Sequence, residues 1–122
     1  MDRSPQGRPF EEWRGIHDWL DAIRLRPGMW VPDGSLRELS ALLFGYYVAL
    51  QIHQVAEPFE FRPAAGGFAD WLRRSRGWST ALGWDGAITA NSFGEPPLEV
   101  FFRLLDEYRA SSRSAVAVRG RD

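Results

Sequence analysis

Residues 35–55 read SLRELSALLFGYYVALQIHQV, and this stretch decides the fold class. Ser35 followed by Glu38 forms a capping box, in which each side chain can accept a hydrogen bond from a backbone amide that the first helical turn leaves free. The apolar residues that follow recur at helical spacing and share one face. They are Leu36, Leu39, Leu43, Tyr46, Tyr47, Leu50 and Val55. We therefore predict a long central helix with this face buried.

Four more segments on either side of this helix have apolar residues at helical spacing. Their predicted ranges are 11–25, 68–75, 79–93 and 97–110. Their predicted buried residues are Trp13, Ile16, Leu20, Ile23, Phe68, Trp71, Leu72, Leu82, Trp84, Ile88, Leu98, Phe101, Phe102, Leu105 and Tyr108. Pro27 closes the first helix and Gly77 the third, because proline disfavours helical geometry before it and glycine turns freely.

The remaining segments are predicted to be loops. A loop covers residues 27–34, and a connector covers residues 57–67, where Phe59 and Phe61 alternate with charged residues and would allow one short strand. We predict an all-α fold, a compact single-domain bundle of about five helices over residues 10–110. A flexible leader, residues 1–9, and a flexible tail, residues 111–122, flank it.

Composition excludes several classes of function. The 15 basic and 16 acidic residues give a net charge of −1, so no sequence-wide field attracts nucleic acid or anionic lipid. The absence of cysteine excludes disulfides, thiolate zinc sites and cysteine nucleophiles. No apolar run approaches the length of a membrane span, and we expect a cytoplasmic protein without membrane contact. Six tryptophans and 15 basic residues that are all arginine stand out, since Trp and Arg are enriched in binding hot spots.

The chain lacks recognisable catalytic motifs. It has no G-x-S-x-G elbow and no phosphate-binding glycine loop, which predicts a non-enzymatic protein without cofactor or metal. The alternative is a small metal-dependent enzyme. His17 precedes Asp21 by four residues and His53 precedes Glu57 by four, so each pair could share a helix face. Surface pairs that bind no metal are the interpretation we favour.

The densest basic and aromatic cluster predicts a second alternative, a regulator associated with nucleic acid. It comprises Arg73, Arg74, Arg76 and Trp78, beside Trp71. Arginines can pair with phosphates while indoles stack on bases. We favour a solvated helix face instead, because acidic residues elsewhere cancel the field.

Two segments place apolar side chains where we expect surface, so these side chains either pack over the core or face a partner. Packing over the core is the interpretation we favour for each residue taken singly. Residues of both segments form the predicted partner-binding region. In the loop these residues are Met29, Trp30, Val31 and Asp33. In the connector they are Glu57, Phe59, Glu60 and Arg62.

A set of short motifs spans residues 19–108. It runs from R-P-G-M-W (26–30) and D-G-S-L (33–36) through F-G-Y (44–46), F-A-D-W-L (68–72) and G-W-S-T-A-L-G-W (77–84) to L-E-V-F-F-R-L-L-D-E-Y (98–108). The pattern resembles a family of small bacterial proteins often encoded beside polymorphic secreted toxins. This resemblance implies an immunity protein whose partner is a cognate toxin, with no catalytic residue carried over. Trp30 departs from it, since the family usually has tyrosine there.

Overall fold

The computed structural model describes residues 9–119, with side chains as far as residue 113. This part of the chain is all-helical, with one 3₁₀ turn, six α-helices and no strand, which confirms the predicted fold class. The 3₁₀ turn is Phe10–Glu12, and the helices are α1 (Ile16–Leu25), α2 (Pro27–Trp30), α3 (Leu36–Ile52), α4 (Gly67–Arg76), α5 (Gly83–Ala90) and α6 (Pro97–Arg119). The short strand allowed for the connector does not form in the described residues.

The chain divides into two compact units. Unit 1 ends at Phe59 and contains α1 to α3, and unit 2 begins at Glu60 and contains α4 to α6. No helix in the described part is both long enough and apolar enough to cross a bilayer. Residues 1–8 of the predicted leader and residues 120–122 of the predicted tail lie outside the described residues.

In unit 1, α1 begins five residues later than predicted. Trp13 has extended backbone after the 3₁₀ turn, and the amide of Arg14 donates to the Asp18 carboxylate at 2.8 Å. The helix therefore starts at Ile16, where the Glu57 carboxylate accepts the backbone amide at 3.0 Å. The predicted inward residues Ile16, Leu20 and Ile23 are buried, whereas Trp13, which lies before the helix, is only half-buried.

The predicted cap of α3 is confirmed. The Ser35 hydroxyl accepts the amide of Glu38 at 2.9 Å, and the Glu38 carboxylate accepts the amide of Asp33 at 3.2 Å. Four leucines of the predicted face are buried, namely Leu36, Leu39, Leu43 and Leu50. The helix ends at Ile52, and Gln54 has a positive φ of 54°. Val55 consequently lies beyond the helix and is exposed, so its predicted burial is wrong.

Unit 2 is organised around buried aromatic rings. Phe68 on α4 makes ring contacts with the aromatic side chains around it. They are Phe61, Trp71, Trp84, Phe101 and Tyr108. The Trp84 indole also donates to the carbonyl of Phe61 at 2.9 Å, which fastens the connector to α5. These rings form a filled aromatic core.

Two boundaries in unit 2 differ from the prediction. α5 begins at Gly83, whose positive φ of 88° suits glycine, so Leu82 precedes the helix and is 89% exposed rather than buried. α6 continues through residues 111–119 of the predicted flexible tail. No glycine or proline occurs between Pro97 and Gly120, and the alanines and arginines of this stretch favour helix.

Candidate functional site

Unit 1 carries a cluster of aromatic rings that it does not fully bury. We call Phe10, Trp13, Trp19, Trp30 and Tyr46 the aromatic cluster; Phe10 is exposed and the other four are half-buried. The rings form a continuous row of contacts. Centroid separations are 5.6 Å from Phe10 to Trp13, 6.1 Å from Trp13 to Trp30, 5.7 Å from Trp30 to Trp19 and 5.8 Å from Trp19 to Tyr46. Such distances are typical of favourable aromatic pairs.

The aromatic cluster lines an open cavity of about 530 Å³, which we call the aromatic cavity. Arg14, Gly15 and Glu57 complete its wall. A second hollow of about 580 Å³ is lined by Glu11, Glu12, Trp13 and Arg14 and so shares two residues with the first. The aromatic cavity falls within the size range of small-molecule sites in proteins, about 300 to 1,000 Å³.

Glu57 supplies the carboxylate of the aromatic cavity. The Tyr46 hydroxyl lies 2.6 and 2.8 Å from its two oxygens and donates to it. Burial, and next the hydrogen bond to Glu57, raises the pKa of Tyr46 well above its ordinary value, so this hydroxyl stays a donor. A Cβ on Gly15 would lie 2.9 Å from a Glu57 oxygen, so the absence of a side chain at Gly15 leaves room for the carboxylate against the start of α1.

Trp19 holds its place without a hydrogen bond. Its Nε1 atom is buried and has no partner among the described residues. A buried donor left unpaired costs about 1 to 3 kcal/mol. Trp19 is therefore held by contacts through its ring with Trp30 and Tyr46.

The predicted partner-binding loop is part exposed and part buried. Pro27 starts the single turn α2, as proline suits a first helical position, and Met29 on it is 68% exposed. Trp30 lies in the middle of the aromatic cluster, and Asp33 is exposed. Val31 is only 1% exposed, so it packs in the core, as the alternative for this loop predicts, and it is not part of an exposed surface.

The predicted connector residues do not form one surface element. Glu57 and Phe59 are half-buried in unit 1, where Phe59 packs on the rings of Tyr46 and Tyr47. Glu60 and Arg62 belong to unit 2. Glu60 is half-buried and accepts a hydrogen bond from the Tyr108 hydroxyl, and Arg62 is exposed. Burial, and then the bond to Glu60, raises the pKa of Tyr108 well above its ordinary value.

The arginines of the alternative basic patch make contacts within unit 2. Arg73 pairs with Asp70 and donates to the carbonyl of Ala64 at 3.0 Å. Arg76 pairs with Glu107 at 2.6 Å and lies over the Trp71 ring, 5.6 Å from its centroid. Arg74 is exposed and Trp78 is half-buried. Two of the three arginines thus already have acidic partners, so less of their positive charge is available to bind phosphate.

The structure does not assemble the alternative metal site. His17 and Asp21 both lie on α1, but α3 ends before His53, so His53 and Glu57 do not share a helix face. Glu57 instead binds Tyr46 and the start of α1. Within residues 9–119, no three His, Asp or Glu side chains form a group that could hold a metal ion.

Sequence reasoning missed an apolar stripe on the outer side of α3. Its members Phe44, Val48 and Ile52 are four residues apart and exposed, and Val55 just beyond the helix is exposed as well. The sequence contains a signal for this stripe, because apolar residues occur around much of the circumference of α3. A helix that buries only one face usually has polar residues on the opposite face. The sequence prediction covers only the buried face of α3.

Comparison with known protein families, with curated proteins and with solved structures finds no match to this chain.

Proposed function

We propose that this protein is a non-enzymatic protein-binding module, and more specifically an immunity protein that binds a cognate bacterial toxin and covers its active site. The observation that carries the proposal is the apolar stripe of α3, formed by Phe44, Val48, Ile52 and Val55. Contiguous exposed apolar surface is typical of protein interaction sites. Action in the cytoplasm of the cell that makes the toxin is part of the proposal.

The stripe suits a protein partner in its geometry. Phe44, Val48 and Ile52 follow an i, i+4, i+8 spacing, so they form one ridge along a helix of 17 residues. A ridge of this kind fits a complementary groove, where apolar contacts supply affinity. Charged residues around such a ridge would supply orientation and specificity.

The class of partner rests on the sequence pattern of residues 19–108. Its resemblance to small bacterial proteins encoded beside secreted toxins supports an immunity role. Binding by occlusion needs no catalytic group. Within the described residues, no group of His, Asp and Glu side chains could hold a metal ion, and Arg73 and Arg76 are paired with acidic residues.

The experiment that tests the proposal is co-expression with the toxin encoded beside the gene, with cell growth as the readout. We expect the wild-type chain to protect the cells and Ile52→Lys to abolish protection. Ile52 is 68% exposed at the end of α3, where a lysine also suits the helix dipole, so folding should be preserved. If Ile52 contacts the toxin, its replacement should raise the dissociation constant of the purified complex about tenfold or more, as for an interface hot spot.

Phe93→Lys is the matched control, because Phe93 is an exposed apolar residue of unit 2 and the charge change is the same. It should protect as well as the wild type. Sedimentation of the chain alone completes the test. If the wild type is a dimer that Ile52→Lys dissociates, or if protection fails for the wild type, the stripe is not a toxin-binding surface.

A further inference from the structure

We propose that the aromatic cavity binds a quaternary ammonium group. This inference stands apart from toxin binding, because it concerns the cavity of the aromatic cluster and not the stripe of α3. Three indoles and one phenol line the cavity together with Phe10. The face of an aromatic ring attracts cations, and Trp does so most strongly.

Among the described residues, three acidic side chains and one basic side chain line the aromatic cavity and the adjoining hollow taken together. Glu57 stands in its wall, and its hydrogen bonds come from two neutral donors, the Tyr46 hydroxyl and the Ile16 amide, so its negative charge is not balanced by them. Glu11 and Glu12 line the adjoining hollow, and Arg14 contributes the opposite charge to both. The net field at the cavity therefore favours a cation over an anion.

The chemistry of the wall selects the kind of cation. Ammonium groups of lysine type and guanidinium groups carry N–H donors that need acceptors. The Glu57 carboxylate has about four acceptor sites, of which the Tyr46 hydroxyl and the Ile16 amide take at least two, so it cannot satisfy all the N–H donors of such groups. The remaining wall consists mainly of aromatic side chains. A quaternary ammonium group has no N–H to satisfy and loses the least by leaving water, so it fits this wall best.

The cavity is already formed, which favours binding. Trp13, Trp19 and Trp30 hold one another through ring contacts, and Glu57 is fixed between Tyr46 and the start of α1. A site that is already ordered loses less conformational entropy when the ligand binds. Its volume of about 530 Å³ exceeds a tetramethylammonium ion, so the group can belong to a larger molecule such as a choline derivative.

The test is titration of the full chain with choline, followed by the indole N–H signals of its six tryptophans in NMR spectra. We expect saturable shifts for Trp13, Trp19 and Trp30, and unchanged signals for Trp71, Trp78 and Trp84 in unit 2. Three or four cation–π contacts predict a dissociation constant of about 1 mM or tighter. The neutral isostere 3,3-dimethylbutan-1-ol should bind at least about tenfold more weakly, since it lacks the charge.

Glu57→Gln keeps the size of the side chain and should weaken choline binding about tenfold by removing the negative charge. Trp30→Leu should weaken it as strongly, and Trp78→Leu in unit 2 should have no effect. Vesicles of phosphatidylcholine distinguish a lipid headgroup from a free ligand, because a lipid-binding site would bind them more tightly than free choline. Equal binding of the neutral isostere, or no saturable shift with either choline or vesicles, overturns the proposal.

Discussion

Two tyrosine–glutamate pairs occupy different surroundings in the two units. In unit 1, Tyr46 donates to Glu57 beside an open cavity, and the carboxylate also accepts the first amide of α1. In unit 2, Tyr108 donates to Glu60, and its ring packs against Phe68 and Trp71 in the filled aromatic core. A tyrosine–glutamate pair thus borders a filled core in unit 2 and forms part of a cavity wall in unit 1.

The tryptophans show the same contrast. Trp84 is fully buried with its indole bonded to the Phe61 carbonyl, as expected of a residue that stabilises a core. Trp19 is half-buried, and its indole N–H has no hydrogen-bond partner in the described part of the chain. The rings of unit 2 thus fill a core, whereas those of unit 1 line a cavity. Four sets of substitutions test this difference.

The largest effect is expected for Trp84→Ala. Removing a fully buried Trp from a packed core costs about 3 to 5 kcal/mol, whereas Trp19→Ala should cost about 1 to 2 kcal/mol because its ring is partly in solvent. Urea unfolding followed by circular dichroism measures both values. Equal losses would mean that the aromatic cluster is as much a structural core as the rings of unit 2.

Glu57→Ala is expected to lower the free energy of unfolding by about 1 to 3 kcal/mol, because Tyr46 and the Ile16 amide lose their acceptor. The change should also speed hydrogen exchange at the start of α1. Glu60→Ala provides the comparison, since Glu60 accepts from Tyr108 and should leave exchange at Ile16 unchanged. If the Ile16 amide exchanges as slowly in Glu57→Ala as in the wild type, the Glu57 carboxylate does not stabilise the start of α1.

Alkaline pH should destabilise the protein through both tyrosines. Their pKa values are raised in the folded chain, so the stabilisation is complete below the unfolded value near 10 and declines as the pH rises above it. Tyr46→Phe and Tyr108→Phe should each make this decline shallower. Urea unfolding between pH 8 and pH 11 measures the slopes, and a slope unaffected by either substitution contradicts the proposed pairing.

The smallest effect is expected for Trp19→Phe, at less than about 1 kcal/mol, because the change removes a buried donor that has no partner. Trp84→Phe should cost more, about 1 to 3 kcal/mol, since it leaves the Phe61 carbonyl unpaired. Thermal unfolding of the two variants gives the comparison. A larger loss for Trp19→Phe would indicate that its indole has a partner in solution.

Much of the fold could be predicted because local signals placed it. The cap at Ser35, the inward leucines of α3 and the end of α4 at Gly77 follow from the sequence and agree with the structure. The errors at Val55 and Leu82 arise at helix boundaries. A shift of a boundary by a few residues moves a side chain outside the helix and changes its exposure, although the apolar pattern is unaffected.

The candidate site could be predicted only in part. The sequence predicts Trp30 and Glu57 as residues that bind a partner, and in the structure both line the aromatic cavity. Their roles as a ring of the cluster and as the carboxylate beside α1 were not foreseen. Glu57 and Ile16 are 41 residues apart in the chain, and helical periodicity carries no information on contacts at that separation.

The sequence by itself determined the all-α class, most helix positions and the apolar faces, because these depend on spacing, caps and backbone preferences within a few residues. Only the tertiary structure decided which aromatic residues are buried in a core and which line a cavity. That choice depends on how distant segments meet, and it separates Trp84 from Trp19 although both are tryptophans on helices. The physical reason is that burial of a ring is a property of its neighbours in space and not of its neighbours in the chain.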